Sequence, residues 1–379
     1  MRAFVFTDES LGRRAGQFVW LAIDTEKKEN AAFKKRFGVD ALPTFFVLDS
    51  KTESVALRWV GGATLPQLQK LLNDGRRATG GDKRGFDALV ARADRLYGEG
   101  KNAEAAKAYR EALAAAPAKW PGYGRAVESL LFALDSTHDP EGCAREARDA
   151  YGRLAASPSA ANVAGSGLGC ALSIPAGKPG RAEQVEAFRS DALRVVRSHR
   201  TDLAADDVSS VYQVLEEERA QAGDAAGKKA LLEEHAAFLE QEAARAKSPD
   251  RRAVFDSHRL GAYLELGQPE RAIPMLEASE KDFPDDYNPS ARLASAYRAM
   301  KRWDDAAAAS DRALAKAYGP RRLLILQNRA DIEAGRGDAP ASRRFLEEAL
   351  RTAEAMPEGQ KSEATIASLR KKLAATPTP

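Results

Sequence analysis

Cysteine is nearly missing from this chain, which carries two, Cys143 and Cys170, among 379 residues. They are separated by 26 intervening residues in Ala-rich surroundings (GCARE, LGCAL) and form no CxxC pair. That excludes the disulfide framework of a small secreted domain and a redox dithiol within the residues given. A bond between the two depends on their Cα separation; the expectation is two small buried apolar residues. Histidine is equally sparse. Positions 138, 199, 235 and 258 have no second His or Cys at ligand spacing, so a zinc site has no basis. No run approaches the ~20 apolar residues of a membrane span, and MRAFVFTDESLGRR lacks the basic, apolar and small order of a signal peptide. A soluble, cytoplasmic chain with no membrane partner is expected; a longer reading frame with a leader would instead place it in the periplasm or outside the cell. Charge of one sign is also lacking: 58 basic against 55 acidic residues overall, and thirteen against nine in residues 1–80, give no field that calls for nucleic acid. Aromatics make up only 7%, while Ala, Glu, Arg and Leu are abundant, a mixture that favours helix.

Composition changes at residues 76–85, RRATGGDKRG, where charge and Gly interrupt the apolar pattern, so a linker is expected there. Before it, apolar runs alternate with helical segments: FVWLAID (18–24), ENAAFKKRFGV (29–39), TFFVLD (44–49), SVALRWVGG (54–62) and LPQLQKLL (65–72). Val19–Ile23 and Phe45–Leu48 are apolar at nearly every position, as expected of strands covered on both faces. Ala32, Phe33 and Phe37 recur at helical spacing opposite Lys34, Lys35 and Arg36, which predicts a surface helix over a sheet. Beyond residue 85 no comparable strand signal survives. Helical segments of roughly 12–18 residues follow one another, broken by SPSA, IPAGKPG, KSPD, FPDD, YGPRR and MPEG.

Such an array calls for a test of internal period. In residues 287–320, Leu293, Ala294 and Tyr297 lie on one face of a first helix, a turn follows at Lys301, and Trp303, Ala306 and Ala313 mark a second. Residues 86–119 keep the order with Leu89, Ala93, Leu96, Gly100, Ala105, Tyr109, Ala112 and Pro117; residues 253–286 keep it more loosely. Small residues let the helices approach and the aromatics fill the space beside them, so Ala93, Tyr109, Ala112, Ala294, Tyr297, Trp303, Ala306 and Ala313 are read as packing residues. The pattern resembles the tetratricopeptide repeat, whose period is about 34 residues. Helical pairs at 124–136 with 140–156, 160–173 with 181–198, and 204–222 with 224–246 match it poorly but read as similar hairpins. Residues 322–374 read as a hairpin and a last, solvent-facing amphipathic helix. The resemblance implies a protein or peptide partner on the repeats.

The order of elements from 18 to 72 resembles the second half of a thioredoxin-like domain. The residues that carry it are the FVWLAID run ending at Asp24, the helix through Phe37-Gly38-Val39, the Ala41-Leu42-Pro43-Thr44-Phe45 turn into a strand, and Gly61-Gly62 before the last helix. In that family the proline matching Pro43 is cis and abuts the substrate backbone, so the resemblance implies that Leu42, Pro43 and Thr44 contact substrate. It also places the family's CxxC just upstream of Met1, which would make Met1 an internal methionine of a longer chain. Without the family's central strand, the two apolar strands must pair with each other or leave open edges.

Other motifs carry no chemistry. Gly165-Ser166-Gly167-Leu168-Gly169 has its third glycine misplaced for a dinucleotide loop and no preceding strand, so close helix packing is expected. Asp285-Asp286 and Asp304-Asp305 read as helix N-terminal residues. The fold expected is an incomplete α/β thioredoxin-like segment over 1–75, a linker over 76–85 and an all-α solenoid of tetratricopeptide type over 86–375, mostly α overall. The function expected is a protein-interaction scaffold without metal, cofactor or catalytic residue; the alternative is a thiol-disulfide oxidoreductase with its dithiol upstream.

Overall fold

The computed structural model describes residues 5–39, 41–80 and 85–376. The chain divides into two compact units, Met1–Ala15 with Phe37–Leu232, and Gly16–Arg36 with Glu233–Pro379. No division falls at 76–85: a helix runs through Leu65–Thr79, the next begins at Gly85, and residues 81–84 lie outside the described residues.

In the first unit, β1 (Thr44–Leu48) and β2 (Val55–Val60) form an antiparallel pair. Their turn is held by Asp49, whose Oδ1 accepts from the backbone N–H groups of Lys51 (2.9 Å) and Thr52 (3.1 Å). Pairing of Val47 with Leu57 and of Leu48 with Val55 leaves Ala56 as an extra residue. Such a bulge re-aims the side chains beyond it. Leu57 and Trp59 pack with Ala63 and Leu71, beneath the helix Leu65–Thr79. Val55 and Arg58 instead meet the helix Gly85–Gly98. A Cβ on Gly98 would lie 2.3 Å from Val55 Cγ1, so glycine is required at that crossing. Arg58, 1% exposed, donates to the carbonyls of Gly38 (3.2 Å) and Tyr97 (3.4 Å) and lies over the Tyr97 ring. The sheet and its helix therefore cover the first repeat hairpin and share a core with it, which is why no unit boundary falls at 76–85.

The expectation of two covered strands fails for one. Residues 18–24 enter no ladder, and Val19 and Leu21 are 88% and 74% exposed. Asp24 and its neighbours are held by the helices of the second unit. Among the described residues a sheet is thus present only as the β1–β2 hairpin. Residues 29–39 form a short 3-10 turn, Lys28–Asn30, leading into the helix Ala31–Phe37.

Helical hairpins follow: Gly85–Gly98 with Asn102–Ala114, Tyr123–Ser136 with Pro140–Leu154, and Ala160–Ser173 with Arg181–Val196; the helix Ala205–Gln221 packs on the last of these, and the helix Ala225–Arg245 comes next in the chain. Ala93, Ala105, Tyr109 and Ala112 are fully buried, and the Tyr97 and Tyr109 rings meet edge-on at 6.1 Å. Cys143 and Cys170 are not two free thiols. They form a disulfide between the helices Pro140–Leu154 and Ala160–Ser173, with Cα atoms 5.9 Å apart. The glycine cluster packs helices, since a Cβ on Gly167 would fall 2.2 Å from Phe188 Cε1.

In the second unit, Asp256–Glu265 is followed by a 3-10 turn that runs into Ile273–Asp282. Then come Tyr287–Ala299 with Trp303–Leu314, Gly319–Arg336 with Ala339–Glu354, and Glu363–Ala375. Ala294, Ala306 and Ala313 are fully buried, Tyr297 is 8% exposed, and half-buried Trp303 presses on Gly335, where a Cβ would lie 2.4 Å from Cη2. Lys301 turns the chain with φ 57°. Asp286 caps the helix Tyr287–Ala299 by accepting from the Asn288 N–H at 2.8 Å. The last helix buries Ile366 and Leu369 and leaves Arg370, Lys371 and Lys372 outside. No described helix is long and apolar enough to cross a membrane.

Two substitutions test this packing. Cys143→Ala opens a loop with a sequence separation of 27, which corresponds to a loss of about 3.5 kcal/mol of unfolding free energy, whereas reduction should leave Cys143→Ala unaffected. Gly167→Ala overpacks the Phe188 contact and should cost about 1–3 kcal/mol. Denaturant unfolding with and without reductant measures both.

Candidate functional site

A polar ribbon crosses the helices of the first unit. The helices Tyr123–Ser136, Ala160–Ser173 and Ala205–Gln221 pack side by side, so side chains from successive hairpins meet. At one end Arg125 grips Asp94 with two hydrogen bonds, Nη1 to Oδ1 at 2.7 Å and Nη2 to Oδ2 at 3.0 Å. Its Nε donates to Asp74 Oδ2 at 3.2 Å. The Tyr109 hydroxyl donates to Asp94 Oδ1 at 2.7 Å. Burial, reinforced by the Asp94 charge, pushes the Tyr109 hydroxyl well above the usual phenol range, so it remains a donor. Asp94 is 2% exposed and Arg125 9%; a buried charge is tolerable only when paired in this way.

Farther along, one carboxamide serves two acids. Asn162 Nδ2 donates to Glu128 Oε2 at 2.8 Å and to Asp207 Oδ2 at 3.3 Å. Glu128 Oε1 is buried and accepts no hydrogen bond. Burial raises Glu128 to about 8, offset in part by the Ser159 hydrogen bond and increased by the Asp207 charge; burial and the Asp206 charge raise Asp207 to about 7. Near neutral pH this part of the ribbon stores protons.

The loop expected to touch substrate lies elsewhere on the first unit. Leu42 is 60% exposed, Pro43 is exposed, and Thr44 is half-buried at the start of β1. The Leu42–Pro43 peptide is cis. The Pro43 carbonyl accepts from the Gly61 N–H at 2.9 Å, and the Thr44 hydroxyl donates to the Ala41 carbonyl at 2.6 Å, so the loop is tied to both strands. Its residues present no titratable side chain. Of the expected packing residues, Tyr109 joins the ribbon through its hydroxyl, and Trp303 is half-buried. Asp94, Arg125, Glu128, Asn162 and Asp207 escaped the sequence reading, although a charge beside buried Ala93 and Leu96, as at Asp94, is a usable signal. Among the described residues no group of three or more His, Cys, Asp or Glu is placed to hold a metal ion.

In the second unit, residues 24–30 are docked against helix ends. The Tyr318 hydroxyl donates to Asp24 Oδ2 at 2.6 Å, Arg321 Nε to Glu26 Oε1 at 2.6 Å, and the Tyr287 hydroxyl to Glu26 Oε2 at 2.9 Å. Both carboxylates thus sit by the start of the helix Gly319–Arg336, the end that favours negative charge. The hydrogen bond to Asp24 pushes the Tyr318 hydroxyl up to about 12. Gln360 Nε2 donates to the carbonyls of Thr25 (2.9 Å) and Lys27 (2.8 Å). Gly319, at φ +56°, allows the segment its close approach: a Cβ there would lie 2.1 Å from the Glu26 carbonyl oxygen.

Two outcomes follow. Glu128 and Asp207 bind protons more tightly folded than unfolded, so their contribution to stability falls as pH rises from the ordinary carboxylate range to about 8. Glu128→Gln should flatten that slope in denaturant titrations. Gly319→Val adds a β-branched side chain at positive φ and against a carbonyl; amide exchange over residues 24–30 should accelerate while that of Tyr287–Ala299 holds.

Residues 263–330 match the tetratricopeptide repeat, in agreement with the hairpin geometry there. The chain contains helical repeats of this type. No curated protein matches it. Among solved structures it is similar to a tetratricopeptide repeat protein from Parabacteroides merdae, at 12% identity and TM-score 0.47, over 76% of this chain and 98% of that one. It is also similar to Acl4, the assembly chaperone of RpL4, at 14% identity and TM-score 0.35, over 77% and 98%. A third is the TPR2AB domain of yeast Sti1 in complex with an HSP90 peptide, at 16% identity and TM-score 0.29, over 76% and 98%.

Proposed function

We propose that this protein is a protein-interaction scaffold whose helical repeats bind a protein or peptide partner. The observation that carries this is the tetratricopeptide match at 263–330 within a longer run of similar hairpins. In such hairpins Ala, Tyr and Trp are spent on packing between helices, and the side chains outside that packing are available to a partner. The residues from Phe37 to Thr79 act as the end cap of the array. Terminal repeats leave an apolar face that must be covered, and Val55 and Arg58 cover it here.

The order of these capping elements supports a thioredoxin-like reading: Pro43 loop, antiparallel hairpin, capped helix. On that reading Leu42, Pro43 and Thr44 are the part of the cap that meets an extended peptide. The two cysteines are locked between solenoid helices, and thiol-disulfide exchange needs an accessible attacking thiolate. The same disulfide supports an oxidising compartment for the protein, since such bonds persist poorly in the cytosol.

Panning a random peptide display library on the full chain tests the scaffold. An enriched consensus that binds saturably is expected, and no enrichment at all refutes the reading. Insulin reduction run in parallel should stay at background; turnover abolished by replacing Cys143 and Cys170 with serine would establish an enzyme instead.

A further inference from the structure

The docked segment of the second unit forms one wall of an open cleft of about 700 Å³ whose other side is the end of the helix Ala339–Glu354 and the turn after it. The cleft is built from a segment outside the repeats and from helix ends, and not from the helix faces of the hairpins. Its apolar side comprises Ala355, Met356 and Pro357. Around it stand Lys27, Lys28 and Arg351, all exposed, none of them in an ion pair among the described residues. The two acids that also line it differ in availability. Glu26 is neutralised by Arg321 and Tyr287, which leaves Glu29 alone against three cations. The walls are fixed, because Gln360 holds the backbone at Thr25 and Lys27 and Gly319 seats the Glu26 carbonyl.

We propose that this cleft binds an acidic peptide segment of a partner protein, with an aliphatic side chain against Met356 and Pro357 and carboxylates on Lys27, Lys28 and Arg351. This rests on the scaffold reading and adds the chemistry of one partner. The arrangement favours a peptide over a small molecule: the charges are at an open rim, where they steer and orient a larger ligand, and no polar group is turned into an enclosed interior. The chain before the wall adds apolar surface. Ile23 is three residues from Glu26, hence within about 11 Å of it, and Val19, Leu21 and Ile23 are exposed. A peptide that continues past the cleft meets them.

The experiment uses the full chain and a fluorescein-labelled, end-blocked peptide of alternating Glu and Leu, followed by anisotropy. Saturable binding is expected, weakened about tenfold or more in the Gln–Leu counterpart and in the Lys28→Glu, Arg351→Glu double variant. Both substituted positions are exposed, and an unchanged circular dichroism melt certifies the fold. Ala355→Trp, which fills the apolar side without altering charge, should weaken binding as well. Equal affinity for the Gln–Leu peptide, or binding unaffected by all three substitutions, overturns the proposal. Competition by millimolar glutarate at the strength of the peptide would assign the cleft to a small dicarboxylate and overturn it too. If library-selected peptides bind and the acidic one does not, the cleft assignment fails alone; if no peptide binds, the scaffold reading fails with it.

Discussion

The paired grip of Arg125 on Asp94 is the contact on which the first unit depends. Arg125 comes from the second hairpin, Asp94 from the first, and the remaining Arg125 nitrogen reaches Asp74 in the helix that follows the sheet. One guanidinium thus joins three successive elements. A pair buried to this degree adds little net stability over an apolar replacement of the same shape, but leaving either partner alone costs about 3–5 kcal/mol. Its main effect is on geometry. The planar fork accepts one orientation of the carboxylate, and the Tyr109 hydroxyl occupies the same oxygen from the side. With the first hairpin so oriented, Gly98 can take Val55, and Arg58 can reach the Tyr97 carbonyl.

The rest of the array follows from small residues. Fully buried alanines at 105, 112, 147, 164, 294, 306 and 313 bring helices close, and the larger side chains close the gaps beside them. Glycine extends the same logic where even a methyl group is too much, at Gly167 against Phe188 and Gly335 against Trp303. Close approach leaves little room for buried polar groups, so those present must find partners on neighbouring helices, as in the Glu128–Asn162–Asp207 group, where two acids share one amide.

The second unit shows how local polarity overrides an apolar run. FVWLAID has the composition of a buried strand, yet its last residue, Asp24, and Glu26 after it carry carboxylates suited to a helix N-terminus, and the backbone carbonyls of the segment suit Gln360. Several charge-assisted hydrogen bonds formed together outweigh a strand that lacks a neighbour to pair with. The same docking creates the cleft beside Lys27 and Lys28, whose lysines the sequence presents only as a solvated run.

The amino-acid sequence by itself determined the hairpins. Positions such as Ala294, Tyr297, Trp303 and Ala306 are readable because helical period and side-chain size are local properties, and the turn at Lys301 and the break after residue 114 are local as well. It also determined that TFFVL would be a strand, and that the glycines at 165–169 serve packing. Tertiary structure decided what depends on partners far apart in the chain: that Cys143 meets Cys170, that Asp94 faces Arg125, that Asn162 bridges Glu128 and Asp207, and that residues 24–30 belong with helices some 300 residues later. A charge or thiol has the same appearance in sequence whether solvated or paired. Only the packing of distant helices settles which, because desolvation and pairing energies arise when those helices meet.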